Sequence, residues 1–489
     1  MRYISTRDAG RSVTASEAII AGISPEGGLF LPESIPAVSR EEIAALCEMD
    51  YPQRAADLLA RFLTDFTREE LLSFAKEAYG PEKFAPPAVA PVVPLEEGAY
   101  VLELFHGPTC AFKDFALQML PRLLTASLRK NGETRTVVIL VATSGDTGKA
   151  ALEGFADVAG TKICVFYPDG GVSAMQRLQM TTQRGENVMV CAVRGNFDDA
   201  QTGVKRIFTD DAYRRELAER GFLLSSANSI NWGRLAPQIA YYYSAYCDLV
   251  NAGKIALGDP VNICVPTGNF GNILAAWYAK HSGLPVGKLI CASNRNNVLT
   301  DFLTTGVYDR NRPFHLTDSP SMDILVSSNL ERLLSLLIGD EKKLCALMQA
   351  LREGGRYAVD EDVRRALADE FACGWADDAA TRETIGRTFR ENGYLPDTHT
   401  AVGIRVWRDY AARSGDRTPA LLAATADPFK FCPAVLAALG QRVPEDDFAR
   451  MDALCAATGR TPPKQLRGLE GVPPRFSAVA APEQMRAVV

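Results

Sequence analysis

The sequence is short of the features that would announce metal, membrane or nucleotide chemistry. Only four histidines occur in 489 residues, His106, His281, His315 and His399. They are too few and too dispersed to nominate a metal cluster or a histidine-based triad, so no metal site is expected. The eleven cysteines form no CxxC pair and show no zinc spacing. Cys110, Cys164, Cys191, Cys264 and Cys291 are scattered, several inside apolar runs, and read as buried free thiols of a reducing cytoplasm. No apolar run approaches the roughly 20 residues that span a bilayer; VVILVA (137–142) stops at Thr143. The N-terminal MRYISTRDAGRSV carries early charge but no apolar stretch of the secretory kind. A net charge of −6 is small for this length, which argues against a polyanion-binding surface and against nucleic acid as a partner. Any anion must be held locally.

What is present is an alternation of short apolar runs and helical patterns: VVILVA (137–142), KICVFY (162–167), NVMVCAV (187–193), VNICVP (261–266), KLICAS (288–293) and ALLAAT (420–425). Each is followed by turn residues and then a stretch of helical period, as in TGKAALEGFADVAG. Continuous apolar strands spaced by helices predict parallel sheets covered on both faces, an α/β protein. The first ninety residues differ, with helical patterns such as 40–63, and the Pro-rich APPAVAPVVP (85–94) reads as a stiff connector. The predicted organisation is a small N-terminal domain over residues 1–90, a catalytic region over 91–440 with a smaller α/β domain inserted at about 120–235, and a helical C-terminal extension over 441–489.

Four segments carry the chemistry. Lys113 lies in HGPTCAFKDFALQ (106–118), where an extended segment passes into an amphipathic helix. Desolvation there would lower its pKa and make it a nucleophile, although a solvated lysine in a first helical turn reads the same way in isolation. VPTGNFGNILAAWYAK (265–280) sets Gly268, Asn269, Phe270, Gly271 and Asn272 between a strand and a helix. Backbone N–H groups and a helix N-terminus make such a loop a phosphate cradle, or an ordinary turn. It is neither GxxxxGK[ST] nor GxGxxG, which removes support for nucleoside triphosphates and dinucleotides. ATSGDTGKAA (142–151) repeats the arrangement with more side-chain oxygen, and is equally readable as a capped helix. SANSINWGRLAPQ (226–238) gathers Asn228, Ser229, Asn231 and Arg234, groups that can clamp a phosphate. Two cradles, an arginine clamp and an activatable lysine fit together if one phosphate belongs to pyridoxal 5′-phosphate.

With YISTRD (3–8), ISPEGGLFLP (23–32), DGGVSAMQRLQM (169–180), RGNFDDAQ (194–201), SPSMDILVSSNLERLL (319–334), DTHTAVG (397–403) and TADPFKF (425–431), the chain resembles threonine synthases of the longer type almost end to end. These are pyridoxal-phosphate enzymes of the tryptophan-synthase-β-like fold, fold type II. The resemblance implies two parallel-sheet domains with the cofactor between them, and Lys113 as the Schiff-base lysine. It implies that Gly268, Asn269, Phe270, Gly271 and Asn272 form the cofactor-phosphate loop. Ser144, Gly145, Asp146 and Thr147 match the loop that receives the substrate carboxylate, with Asp146 facing the cofactor's phenolic oxygen. Asn228, Ser229 and Arg234 match substrate-phosphate ligands, and Thr425 a hydroxyl beside the pyridine nitrogen. Phe112 packs near the cofactor or in the core. Two positions depart from the pattern: Asp427 replaces a histidine, and Lys149 stands where serine is common. Asp427 is expected to turn away from the ring, toward Lys430 or solvent. His399, Ser321, Asp323 and Ser327 read either as supports for the residues of the site or as structural, the structural reading being the one expected.

The function the resemblance implies is conversion of O-phospho-L-homoserine and water to L-threonine and phosphate, by β,γ-elimination and water addition. A phospholyase of the same fold, releasing 2-oxobutanoate, phosphate and ammonia, is the nearest alternative. A catalytically silent ligand-binding relative is the alternative from another class. The expected partners are a small-molecule substrate and no nucleic acid or membrane, in a cytoplasmic monomer or homodimer.

Overall fold

The structure, a computed structural model, describes residues 1–84 and 88–489. Two parallel sheets organise it. The larger has six strands in the order Phe371–Trp375, Val286–Ser293, Val261–Pro266, Ala420–Ala424, Ala99–Glu103 and Val92–Glu96, all parallel except the last. The smaller has five parallel strands in the order Ala478–Ala480, Val188–Val193, Thr161–Pro168, Thr136–Ala142 and Phe222–Ser226. The six apolar runs read from the sequence are all strands, and their central residues are buried, as parallel strands covered by helices must be.

Other strands carried weaker signals. Ala99–Glu103 and Phe371–Trp375 are short, and Phe371–Trp375 is a half-exposed edge with its tryptophan 47% exposed. The C-terminal extension is more than helical: after the helices Asp447–Thr458 and Lys464–Arg467 it adds Ala478–Ala480 to the edge of the smaller sheet. Of the Pro-rich stretch 85–94, residues 85–87 lie outside the described residues. Val92–Pro94 open the antiparallel edge strand, where proline's missing N–H faces no ladder partner.

At the N-terminus, Asp8–Val13, Tyr3–Ser5 and Phe30–Pro32 form a three-stranded antiparallel sheet. The pattern over 40–63 divides into the helices Arg40–Cys47 and Tyr51–Phe62, because Asp50 caps a new helix with Pro52 in its first turn. These helices share a core with the long helix Trp232–Asn251, whose Tyr241, Tyr242, Tyr243 and Tyr246 are all fully buried.

The helices Lys113–Lys130 and Asp146–Phe155 place the two sheets' contributions to the site beside each other. They meet at Gly154, where a Cβ would lie 2.0 Å from the Leu117 carbonyl oxygen. Gly154→Ala should therefore destabilise the protein by about 2 kcal/mol, overpacking against backbone outweighing about 1 kcal/mol of gained helix propensity. Urea unfolding reads this directly; an unchanged midpoint would contradict the close approach.

Candidate active site

The site forms at the carboxyl ends of strands from both sheets, where open parallel sheets bind ligands. Ala99–Glu103 leads through the loop 104–112 to Lys113 at the start of its helix, and Thr136–Ala142 leads through Thr143–Gly145 to Asp146 at the start of another. Across the gap Lys113 Nζ stands 3.6 Å from Asp146 Oδ2. Burial pushes the Lys113 amine below the ordinary lysine range; Asp146 opposes this, while Lys430 and Arg234 reinforce it. The Phe112 ring lies 4.9 Å from the same Nζ.

The loop that presents Lys113 is pinned from inside. Asp114 is fully buried, and its carboxylate accepts the Thr109 N–H at 2.9 Å and the Thr109 hydroxyl at 2.7 Å. Gly107 is required beside it, since a Cβ there would meet Asp114 Oδ2 at 2.6 Å. The Phe112 N–H donates to the Thr425 carbonyl at 2.9 Å, and Ala111 bridges Ala426. Thr425 thus lies against the residue preceding Lys113, its own N–H donating to the Thr400 hydroxyl.

Asp146 gathers several groups. Its Oδ1 takes the Lys430 ammonium at 2.6 Å and the Gln176 amide at 2.8 Å; its Oδ2 takes the Ser321 hydroxyl at 3.3 Å. These cations and donors hold the carboxyl far below the usual range against the cost of burial. Gly145 turns at φ +132, and a side chain there would collide with Gln176 at 2.4 Å. Thr143 Oγ accepts the N–H groups of Gly145 and Gly148, while Ser144 and Thr147 stay half-buried.

The second cradle, Gly268–Asn272, enters the helix Gly271–His281 through Phe270 in a left-handed conformation, φ 61. It is fastened by Ser327 Oγ, which donates to the Gly268 carbonyl at 2.7 Å, and by Asn329, whose backbone and side-chain N–H groups both donate to the Asn269 carbonyl. Ser321 crowds it, its carbonyl oxygen 2.7 Å from where a Gly268 Cβ would be. Asn272 Oδ1 accepts from the hydroxyls of Tyr241 and Tyr242, while its buried Nδ2 has no partner among the described residues.

A second unsatisfied donor is Arg234, 3% exposed in the first turn of Trp232–Asn251. One guanidinium nitrogen donates to the Ala227 carbonyl, whereas buried Nε has no partner among the described residues. Desolvation lowers this arginine to about 10. Arg234 bears electrostatically on Lys113, while Asn228 and Ser229 line a cleft of about 1370 Å³ together with Asn269, Ser327 and Ser328. Asn231 is committed to structure: it caps the helix at Gly233 and donates to the Ile19 and Ser226 carbonyls. A buried guanidinium with Nε unpaired and a buried amide with Nδ2 unpaired, each at a helix N-terminus, together with a buried amine, fit a phosphate-bearing aldehyde such as pyridoxal phosphate.

One expectation is overturned. Asp427 turns neither to Lys430 nor to solvent: it is 4% exposed and caps the turn Pro428–Phe431 by accepting the Phe429 N–H at 2.9 Å. Lys430 pairs with Asp146 instead, while the charges that bear on Asp427 are those of Arg460, Asp397 and His106. Of the two readings open for Ser321 the supporting one fits, since its hydroxyl reaches Asp146 and its N–H donates to His399 Nε2 at 3.1 Å. His399 is in turn held by Asp397 through Nδ1 at 2.8 Å. Asp323 and Ser327 do serve structure, Asp323 by binding Asn294, Asn296 and Thr317. Lys149 pairs along its own helix with Glu153 at 3.0 Å and with Gln183. Sequence reading missed Gln176 as a ligand of Asp146, although the segment containing it was singled out.

A lysine and two anion cradles between two parallel sheets define a pyridoxal-phosphate-dependent enzyme of the α/β class. The family described as "Pyridoxal-phosphate dependent enzyme" matches residues 88–418; "Threonine synthase N terminus" matches 2–79 and "Threonine synthase, C-terminal" 400–489. The chain belongs to the threonine synthase family. It is 43% identical over 451 residues to the threonine synthase of Pseudomonas aeruginosa, covering 90% of this chain and 91% of that one. It is 42% identical over 453 residues to human threonine synthase-like 1, covering 90% of this chain but only 60% of that protein. The chain thus spans less than two thirds of that relative's length. A crystal structure of PLP-bound threonine synthase from Brucella melitensis superposes with a TM-score of 0.87 at 37% identity, covering 100% of this chain and 99% of that one.

Burial raises the Asp427 carboxyl to about 6, with Asp397 adding to the rise and Arg460 and His106 opposing it. A raised folded-state pKa favours the protonated form, so its stabilisation is full below the unfolded value of 3.8 and is lost as pH rises through about 6. Asp427→Asn keeps the cap without the titration. Relative to wild type it should gain about 1–2 kcal/mol between about pH 5 and about pH 8, measured by urea unfolding. A constant difference across that window would contradict the buried, raised carboxyl.

Proposed function

We propose that this chain is a threonine synthase, converting O-phospho-L-homoserine and water to L-threonine and phosphate with pyridoxal phosphate. The observation that carries the reading is a buried amine, Lys113, in a protein that holds two separate buried donors without acceptors among the described residues, Arg234 Nε at the start of the helix Trp232–Asn251 and Asn272 Nδ2 at the start of the helix Gly271–His281. The two donors start two different helices, which calls for more than one anionic group. A phosphorylated cofactor and a phosphorylated substrate supply them.

Lys113 would hold the cofactor at its aldehyde carbon, and Asn272 with the N-terminus of Gly271–His281 would hold its phosphate. When bound, the cofactor supplies an electron sink for the substrate's Cα. Residues Ser144 to Thr147 would receive the substrate carboxylate at a helix N-terminus. Asn228, Ser229 and Arg234 would receive the ester phosphate, and Arg234 would stabilise the dianion as it leaves. The Lys113 amine, once free, moves protons at Cα and Cβ, with Asp146 beside it to stabilise the charged form in each exchange. Water is added at Cβ. Closure around the site then decides whether threonine forms or the chemistry ends early in 2-oxobutanoate.

The setting we propose is a small-molecule enzyme of the cytoplasm, acting as monomer or homodimer. Eleven free cysteines, most of them buried, support a reducing compartment. Among the described residues no helix is long and apolar enough to cross a membrane.

The test is incubation of the cofactor-loaded protein with phosphohomoserine, following phosphate, threonine and 2-oxobutanoate together. Equal yields of phosphate and threonine are expected. Lys113→Ala should lose at least about a thousandfold in rate, about 4 kcal/mol, while its far-UV circular dichroism is kept. Phosphate released with 2-oxobutanoate alone would assign a phospholyase, and a folded Lys113→Ala protein making threonine at the wild-type rate would overturn the reading.

A further inference from the structure

The site contains a second buried amine that none of the steps above uses. Lys430 lies in the turn Pro428–Phe431, just beyond Thr425, and its side chain is completely enclosed. Its Nζ donates to Asp146 Oδ1 at 2.6 Å and to the Thr109 carbonyl at 3.0 Å. The opposite oxygen of the same carboxylate faces Lys113 at 3.6 Å. One carboxylate therefore stands between two amines, and the closer, better-bonded amine is not the one that performs chemistry.

We propose that Lys430 is a positioning residue for Lys113: it engages Asp146 and Thr109 together, fixing the two loops against each other and occupying the counter-charge that would otherwise hold a proton on Lys113. An amine must be neutral to attack a carbonyl carbon. A buried ammonium paired with a carboxylate of its own would keep its proton and stay inert. With Lys430 already seated on Asp146, a charged Lys113 would be a second cation against one anion, with the Arg234 guanidinium as a third. Neighbouring groups do not restore the balance. From the Lys113 helix, Asp114 turns back onto Thr109 and its carboxyl is raised to about 6. From the preceding loop, burial and nearby carboxylates push the Cys110 thiol up, so it stays neutral. From the segment 319–323, Ser321 offers Asp146 a hydroxyl and no charge. The direction of the Lys113 shift, with Lys430 and Arg234 both acting to lower it, agrees with this geometry.

The inference rests on reading Lys113 as the cofactor-binding amine, but its test observes that amine without cofactor or substrate. Trace acetylation of the cofactor-free, full-length chain across a pH series, read by mass spectrometry on the peptide carrying Lys113, gives the pH at which its proton is lost. Lys430→Met should raise that pH by about one unit or more, leaving about tenfold less neutral amine at a fixed pH below the transition. Lys430→Arg, which retains the cation, should stay close to wild type. Asp146→Asn should move the transition the other way, since both amines then lose their counter-charge. A role confined to packing would lower the melting temperature of Lys430→Met and leave the Lys113 transition in place, which would overturn the proposal. If Lys430→Met does not fold, Asp146→Asn decides: a downward shift supports the proposal, and no shift or an upward one ends it. A chain that titrates as expected yet forms no threonine would keep this inference and lose the functional reading.

Discussion

The site depends on a single shared carboxylate. Asp146 is buried, ionised and bonded on one side to Lys430 and Gln176, on the other to Ser321, with Lys113 at 3.6 Å. Its partners come from the helix Ala174–Thr181, the turn Pro320–Met322, the start of Lys113–Lys130 and the turn Pro428–Phe431 after Ala420–Ala424, so moving it would disturb four separate segments. A buried ion pair is weak evidence for stability, because desolvation offsets most of the attraction. Here its value is orientation. Lys430 also binds the loop before Lys113 through Thr109, which joins the two sheets' loops by one side chain.

A comparable junction ties the second cradle to the N-terminal sheet. Arg332 is fully buried and donates to the Phe30 carbonyl at 2.8 Å, to the Ile230 carbonyl at 2.6 Å and to Asn329, which itself holds the Asn269 carbonyl. One guanidinium's planar fork thus fixes the N-terminal strand, the turn before Arg234 and the Gly268–Asn272 loop in mutual register. The neighbouring Glu331 receives Arg7 through two bonds and the Thr6 hydroxyl through another. The N-terminal segment therefore does more than precede the catalytic sheets; it braces one of the two anion cradles.

Much of the fold was legible because local and global signals agree. Runs such as Thr136–Ala142 and Val261–Pro266 are apolar on both faces, and that pattern belongs to strands covered by helices. Edge strands such as Ala478–Ala480 and Phe371–Trp375 lack it, since one side is open and the run is short. In the site, residues whose chemistry is carried by backbone and loop shape, Gly145 and Gly268–Asn272 among them, stood out by glycine and asparagine in strand-to-helix turns. Partners distant in sequence did not. Lys430 was visible as a cation but was matched with Asp427, three residues away, because sequence distance was the only guide. The folded chain brings Asp146 to it from 284 positions away, and leaves Asp427 to cap its own turn.

The site carries buried positive charge and unpaired donors that a phosphate group would complete. The most direct measurement is the melting temperature of the cofactor-free chain in inorganic phosphate against chloride at equal ionic strength, for the wild type and for Arg234→Gln. A saturable stabilisation by phosphate is expected, about 2.7 kcal/mol at a hundredfold excess over the dissociation constant, and it should be reduced in Arg234→Gln. Equal melting in the two salts, or a phosphate effect indifferent to Arg234, would contradict it.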